Sequence, residues 1–150
     1  MANIPQKIKE RARAIIIDHG KILLINRIKG DDFYWVIPGG GVEFGESHEQ
    51  AVKRECLEEL GVKIEVQKLF LQRPSDKQET KGQQEFFYLC NIIDGKIGTG
   101  QGPEFQAGTQ YGGAYRIKWV DLKDLPEINL KPEEVKCKII QQAKFVRLQG

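Results

Sequence analysis

Two Ile/Leu-rich runs, Arg11 to Asp18 and Lys21 to Ile28, open the apolar pattern and are separated only by Asp18-His19-Gly20. This predicts paired or neighbouring strands joined by a tight turn, with His19 as a turn residue. An aromatic-aliphatic run from Phe33 to Ile37 predicts a third strand. It should stop at Pro38-Gly39-Gly40-Gly41, where no regular element is expected to continue and a loop begins. Ser47 with Gln50 fits a capping box, Ala51 to Leu60 has helical spacing, and Gly61 stands where a C-cap glycine belongs. Lys63 to Leu71 and Glu85 to Ile93 predict a hairpin whose long exposed loop runs from Arg73 to Gln84.

Seven of the twenty residues from Asp94 to Gly113 are glycine, which predicts a long loop of the kind compact domains use functionally or leave disordered. Ala114 to Val120 returns to strand character. Pro132 then opens a last helix that lines up Val135, Ile139, Ala143 and Val146 on one face, to close over the sheet. The order of strands, helix, strands, helix predicts an α/β domain in which helices cover a sheet.

Composition narrows the function more than the fold. A chain of 150 residues with 40% apolar content builds one core without disulfides or structural metal, so a single domain over 1–150 is expected. With 23 Lys and Arg against 21 Asp and Glu, the net charge of +2 argues against nucleic acid or an anionic membrane as the main partner. Cys56, Cys90 and Cys137 are odd in number and lack nearby Cys/His pairs, so they read as reduced thiols, mostly buried, and not as zinc ligands. Met1 to Glu10 lacks the apolar stretch of a signal peptide, and no apolar run approaches the roughly 20 residues of a membrane helix. A cytoplasmic location is expected.

The chemistry concentrates on the capped helix. Glu55, Glu58 and Glu59 stand at i, i+3 and i+4, and at about 100° per residue they share an arc of roughly a third of a turn. Val52, Cys56 and Leu60 form the core stripe beside that arc, and the small Ala51 is expected among the glutamates, where it obstructs nothing. Like charges at this spacing repel. A hard divalent cation relieves the repulsion, because Mg²⁺ accepts a few carboxylates and takes its other ligands from water and substrate phosphates. An ordinary solvated acidic face is the alternative for a helix met without its flanks.

The flanks decide between them. From Gly40 the chain reads five residues, Glu46, seven residues, then Arg54-Glu55-Cys56-Leu57-Glu58-Glu59-Leu60-Gly61-Val62. This resembles the box of the MutT/Nudix hydrolases, G-x5-E-x7-R-E-U-x-E-E-x-G-U, in every charged and glycine position. Cys56 replaces the usual aliphatic residue and serves as a small hydrophobe. The match covers 23 residues, and Trp35-Val36-Ile37-Pro38-Gly39 and the strand order are also similar to that family.

The resemblance implies an α/β/α sandwich with a mixed β-sheet and a loop-helix-loop catalytic motif. It implies Mg²⁺, with Mn²⁺ as a substitute, held by Glu55, Glu58, Glu59 and the carbonyl of Gly39, while Arg54 and Glu46 orient the glutamates. Relatives often add a carboxylate from a later loop, and Glu104 is the candidate here. His19 in its turn and His48 at the exposed first helical turn are poorly placed as bases, which leaves Glu55 or Glu58, with Glu104 as the alternative. Arg27 sits where many relatives contact phosphate, with an ordinary surface arginine as the other reading. Phe33, Tyr34 and Trp35 offer stacking faces for a base, although strand alternation puts at least one of them in the core.

The implied reaction is hydrolysis of a phosphoanhydride bond in a nucleoside diphosphate derivative, first a nucleoside triphosphate, ordinary or oxidised. ADP-ribose, sugar nucleotides and dinucleoside polyphosphates remain open, as does a silent nucleotide sensor, although sensors tend to carry a degraded box. Neither the SQPWPFPxS element of NADH-cleaving relatives nor the LLTxR element of coenzyme A relatives is present; the latter stretch reads Leu23-Leu24-Ile25-Asn26-Arg27. The partner is a nucleotide-like small molecule, and the protein is a monomer or homodimer.

Overall fold

The computed structural model describes residues 9–75, 82–97 and 115–149, without the side chains of 115 and 144–149. Strands β1 (Glu10–Asp18) and β2 (Lys21–Lys29) pair antiparallel at Ile17 with Ile22 and Asp18 with Lys21. The turn between them holds His19 at φ 51° and Gly20 at φ 74°. Two successive left-handed residues match the twist of a tight hairpin, as the Asp-His-Gly spacing predicts.

After β3 (Asp32–Val36), the expected break at Pro38 is followed by a further strand, β4 (Gly39–Gly41). It pairs with the start of β1, Arg13 opposite Gly39 and Arg11 opposite Gly41. The expectation that nothing regular continues there is therefore corrected. Backbone approach explains it: a Cβ on Gly39 would lie 2.3 Å from the Ala12 carbonyl oxygen and 2.5 Å from Arg13 Cα. Glycine lets β4 form where any side chain would hold it off.

Helix α1 (His48–Leu60) carries the full capping box of Ser47 and Gln50, and Gly61 takes the left-handed C-cap at φ 80°. Replacing Ser47 with alanine removes the acceptor for the Gln50 N–H, and is expected to cost about 1 kcal/mol in a denaturant melt. Strands β5 (Val62–Pro74) and β6 (Gln84–Gly95) form the predicted hairpin, and both run further than the sequence pattern suggests. Arg73, Gln84, Asp94 and Gly95 belong to strands, because paired backbone extends past the apolar stretch. Strand β7 (Tyr115–Asp121), a 3₁₀ turn at Leu122–Glu127, the two-residue β8 (Leu130–Lys131) and helix α2 (Glu133–Gln149) complete the chain.

The sheet is mixed, in the order β5-β6-β1-β2-β3-β8, with β4 on β1 and β7 on β2. Strands β1 and β6 run parallel, as do β3 and β8. Alternation along β1 sends Ala12, Ala14 and Ile16 into one core, with Val52, Cys56 and Leu60 of α1. Ile15 goes into a second core with Phe87, Leu130, and Val135 and Ile139 of α2. Ala51, one turn before Glu55, is fully buried in the first core. Helices thus cover both faces of the sheet, the α/β/α sandwich that the box implied. The Val146 side chain and most of the glycine-rich stretch, including Glu104, lie outside what the structure describes.

Candidate active site

Arg54 gathers the acids. Its Nε donates to Glu46 Oε2 at 2.7 Å and its Nη2 to Glu46 Oε1 at 3.1 Å, a two-pronged pair. Nη2 also reaches the Gly41 carbonyl oxygen at 3.0 Å, and Nη1 reaches Glu55 Oε1 at 3.1 Å and Glu58 Oε2 at 3.3 Å. Glu46 is itself fixed by the backbone N–H of Glu43 at 2.9 Å. One guanidinium therefore ties the loop after β4 to one face of α1. The hydrogen bonds with Glu46 hold the Arg54 pKa above its usual value, with the charge of Glu55 adding to this.

The same pair depresses the Glu46 carboxyl below its usual 4.5, chiefly through the Arg54 hydrogen bonds. A folded-state value below the unfolded one gives stability that is complete above the ordinary glutamate range and disappears as acid protonates the folded group. Urea melts of the wild type and Glu46→Gln should accordingly differ at pH 7 and converge below pH 4.5. A gap independent of pH would mean that the ion pair is not what Glu46 contributes.

The other glutamates meet the glycine strand. Glu59 Oε1 accepts the Gly39 N–H at 2.8 Å. The Glu55 carboxylate lies so close to Gly40 that a Cβ there would stand 2.6 Å from Oε1. Glu58 is more open than Glu55, its side chain 44% exposed against 16%. Among the described residues, no three His, Cys, Asp or Glu side chains are arranged as a ready cage for a metal ion. The donor chemistry fits a hard cation of the Mg²⁺ kind, which takes few protein oxygens and leaves room for water and phosphate. Glu55, Glu58 and Glu59 with the Gly39 carbonyl are the oxygens that would hold it.

His48 is not exposed as the sequence suggested. Its Nδ1 is hydrogen-bonded to the Tyr88 hydroxyl at 2.6 Å, its Nε2 to the Glu10 carboxylate, and its ring lies 4.2 Å from that of Phe86. Both ring nitrogens are thereby hydrogen-bonded, and the first turn of α1 is pinned to β1 and β6. Burial, and then the Glu10 charge, raise the Tyr88 pKa. Cys56 and Cys90 are buried free thiols and Cys137 is exposed. Burial drives the Cys56 pKa well up and that of Cys90 to about 12, so neither is poised as a thiolate.

On the α2 side of the sheet lies a cavity of about 390 Å³ whose wall includes Arg13, Arg73, Glu85, Asn129 and Lys131. Arg13 is the β1 residue paired with Gly39, so the cavity begins one strand away from the acidic face. Arg27, Phe33 and Trp35 are not in its wall. Arg27 lies on β2 opposite Tyr34 and Tyr115. Phe33 is 55% exposed and stands edge-on to Trp35, which is packed partly into the α2 core. The cavity residues carried one legible sign: Arg13 shares strand parity with Ile15, and Glu85 with Phe87, so each is a charge on a core-facing row. Asn129 had no such sign.

Known proteins give this geometry a family. A NUDIX domain model matches residues 8–139. An 8-oxo-dGTP diphosphatase of Haemophilus influenzae is 40% identical over 57% of this chain and 65% of its own. An ADP-ribose pyrophosphatase of Methanocaldococcus jannaschii is 32% identical over 81% and 66%. The chain thus spans two thirds or less of those curated relatives. A solved structure, the MutT NUDIX hydrolase from Burkholderia pseudomallei, is 24% identical and shares the fold with a TM-score of 0.68 over 90% of this chain and 99% of that one. With the box residues in one cluster and the domain model covering most of its length, the chain belongs to the MutT/Nudix family.

Proposed function

We propose that the protein is a Mg²⁺-dependent hydrolase of a phosphoanhydride bond in a nucleoside diphosphate derivative. One observation carries this reading: Arg54 holds Glu46, Glu55 and Glu58 together beside Gly39 and Gly40, where Glu59 also docks. Four carboxylates around one guanidinium carry excess negative charge, which a divalent cation would offset. When bound there, Mg²⁺ neutralises phosphate charge and acidifies water.

The protein's own part is positional. Glu55, Glu58, Glu59 and the Gly39 carbonyl bind the metal, and Arg54 and Glu46 fix the carboxylates before substrate arrives. Glu55 or Glu58 takes the proton of the attacking water, with Glu104 as the alternative base. The group attached to the diphosphate enters the cavity on the other side of Gly39. Asn129, in the cavity wall, donates to the Phe33 carbonyl at 3.4 Å and so ties the β3 backbone to the rim. A base emerging there stacks on Phe33 and Trp35, with Arg27 as a further phosphate contact.

A nucleoside triphosphate, ordinary or oxidised, is the first substrate to test, and ADP-ribose is the second because both chemistries occur in the names of relatives. Turnover with Mg²⁺ across nucleoside triphosphates, oxidised guanine nucleotides, ADP-ribose, sugar nucleotides and dinucleoside polyphosphates, in ¹⁸O-labelled water, identifies both substrate and attacked phosphorus. Metal binding without turnover of any of them would instead make the protein a nucleotide sensor.

A further inference from the structure

Three cations stand in the cavity wall, and two of them have partners. Arg73 pairs with Glu134 at 3.0 Å and Glu85 at 3.6 Å. The Lys131 ammonium lies 4.6 Å from the centre of the Tyr34 ring. Arg13 differs. Its Nη1 donates to the Ile37 carbonyl at 3.0 Å, and among the described residues no carboxylate forms an ion pair with it. Burial, followed by the charge of Arg11, lowers its pKa, while Glu85, Glu59 and Glu55 act in the opposite direction. A half-buried guanidinium in a cavity wall, with one backbone hydrogen bond, has further N–H groups suited to an oxyanion.

Its place says which oxyanion. The Arg13 stem packs on Gly39 so closely that a Cβ there would sit 2.8 Å from Arg13 Cγ. Gly39 in turn is held by Glu59. Arg13 thus stands at the junction of cavity and acidic face, and the charges of Glu55 and Glu59 reach it through that junction.

We propose that Arg13 is a substrate-binding residue that holds the phosphate on the cavity side of the scissile anhydride. The assignment rests on the hydrolase reading above. It gives the diphosphate a cationic contact from the chain itself, opposite the carboxylate platform, so a substrate's two phosphates are distinguished by which wall each meets.

Methylenediphosphonate with Mg²⁺ is a probe that needs no knowledge of the attached group and cannot be hydrolysed at its bridge. Calorimetry should show Arg13→Gln binding it about tenfold or more weakly than wild type, with Mg²⁺ alone still raising the melting temperature of both proteins. Equal diphosphonate affinity in the two overturns the role of Arg13 and leaves the metal platform standing. Absence of any Mg²⁺ effect on wild type overturns both. A second measurement avoids dependence on the folding of the glutamine variant. The Arg13 Nε–H resonance of the wild-type protein, assigned through its loss in Arg13→Lys, should shift when Mg²⁺ and methylenediphosphonate are added. An unmoved resonance at saturating probe overturns the proposal.

Discussion

Glu58→Gln and Glu59→Gln are each expected to abolish the thermal stabilisation by Mg²⁺ and reduce hydrolysis to background, without lowering the melting temperature of the metal-free protein. A ligand that binds only the folded state at 100 times its Kd stabilises by about 2.7 kcal/mol, roughly 5–10 °C for a domain of this size. That shift should vanish with either carboxylate. Loss of several kcal/mol of transition-state stabilisation lowers the rate on the order of 10³-fold. The metal-free fold should persist because a glutamine oxygen at 59 still accepts the Gly39 N–H, and because Arg54 keeps Glu46 and Glu55 when Glu58 is neutralised. Removing one of three crowded negative charges relieves repulsion, so the metal-free variants should melt no lower than wild type. Wild-type activity in either variant would end the metal-platform account.

The second large effect separates two adjacent glycines. Gly40→Ala puts a Cβ 2.6 Å from Glu55 Oε1, against the free end of a side chain that can swing aside. The fold should survive with a loss of about 1 kcal/mol, while displacement of Glu55 from the Arg54 cluster should cost on the order of 10²-fold in kcat/KM. Gly39→Ala meets backbone, 2.3 Å from the Ala12 carbonyl oxygen, at φ 141°. Neither obstacle can move without parting β4 from β1, so this variant should lose several kcal/mol of stability. Melting curves and kinetics measured side by side decide it: equal damage to stability in both variants would contradict the distinction.

How much of this was readable in the sequence follows from how local each signal is. The box helix was fully legible, because Ser47, Gln50 and Gly61 each specify backbone geometry within a few residues of themselves. The hairpin at His19 and Gly20 was legible for the same reason. Strand β4 was not, since three glycines carry no periodicity and pair only because β1 is there to receive them. The His48 contacts cross 38 and 40 residues, to Glu10 and Tyr88, and no helical spacing announces them. The cavity draws Arg13, Arg73, Glu85 and Asn129 from separate elements, so its chemistry exists only after folding. Arg13 and Glu85 did leave a trace as charges in core-facing rows, a pattern that propensity alone treats as an interruption.

The two helices lie against opposite cores of one sheet, with the acid cluster on the α1 side and the cavity on the α2 side. For protein engineering this is a division of labour. On the proposed function, a library that randomises Val36, Asn129 and Lys131 leaves Arg54 and its glutamates untouched, so selection for a new group on the diphosphate can proceed on one face while the proposed metal-binding acids are inherited unchanged on the other.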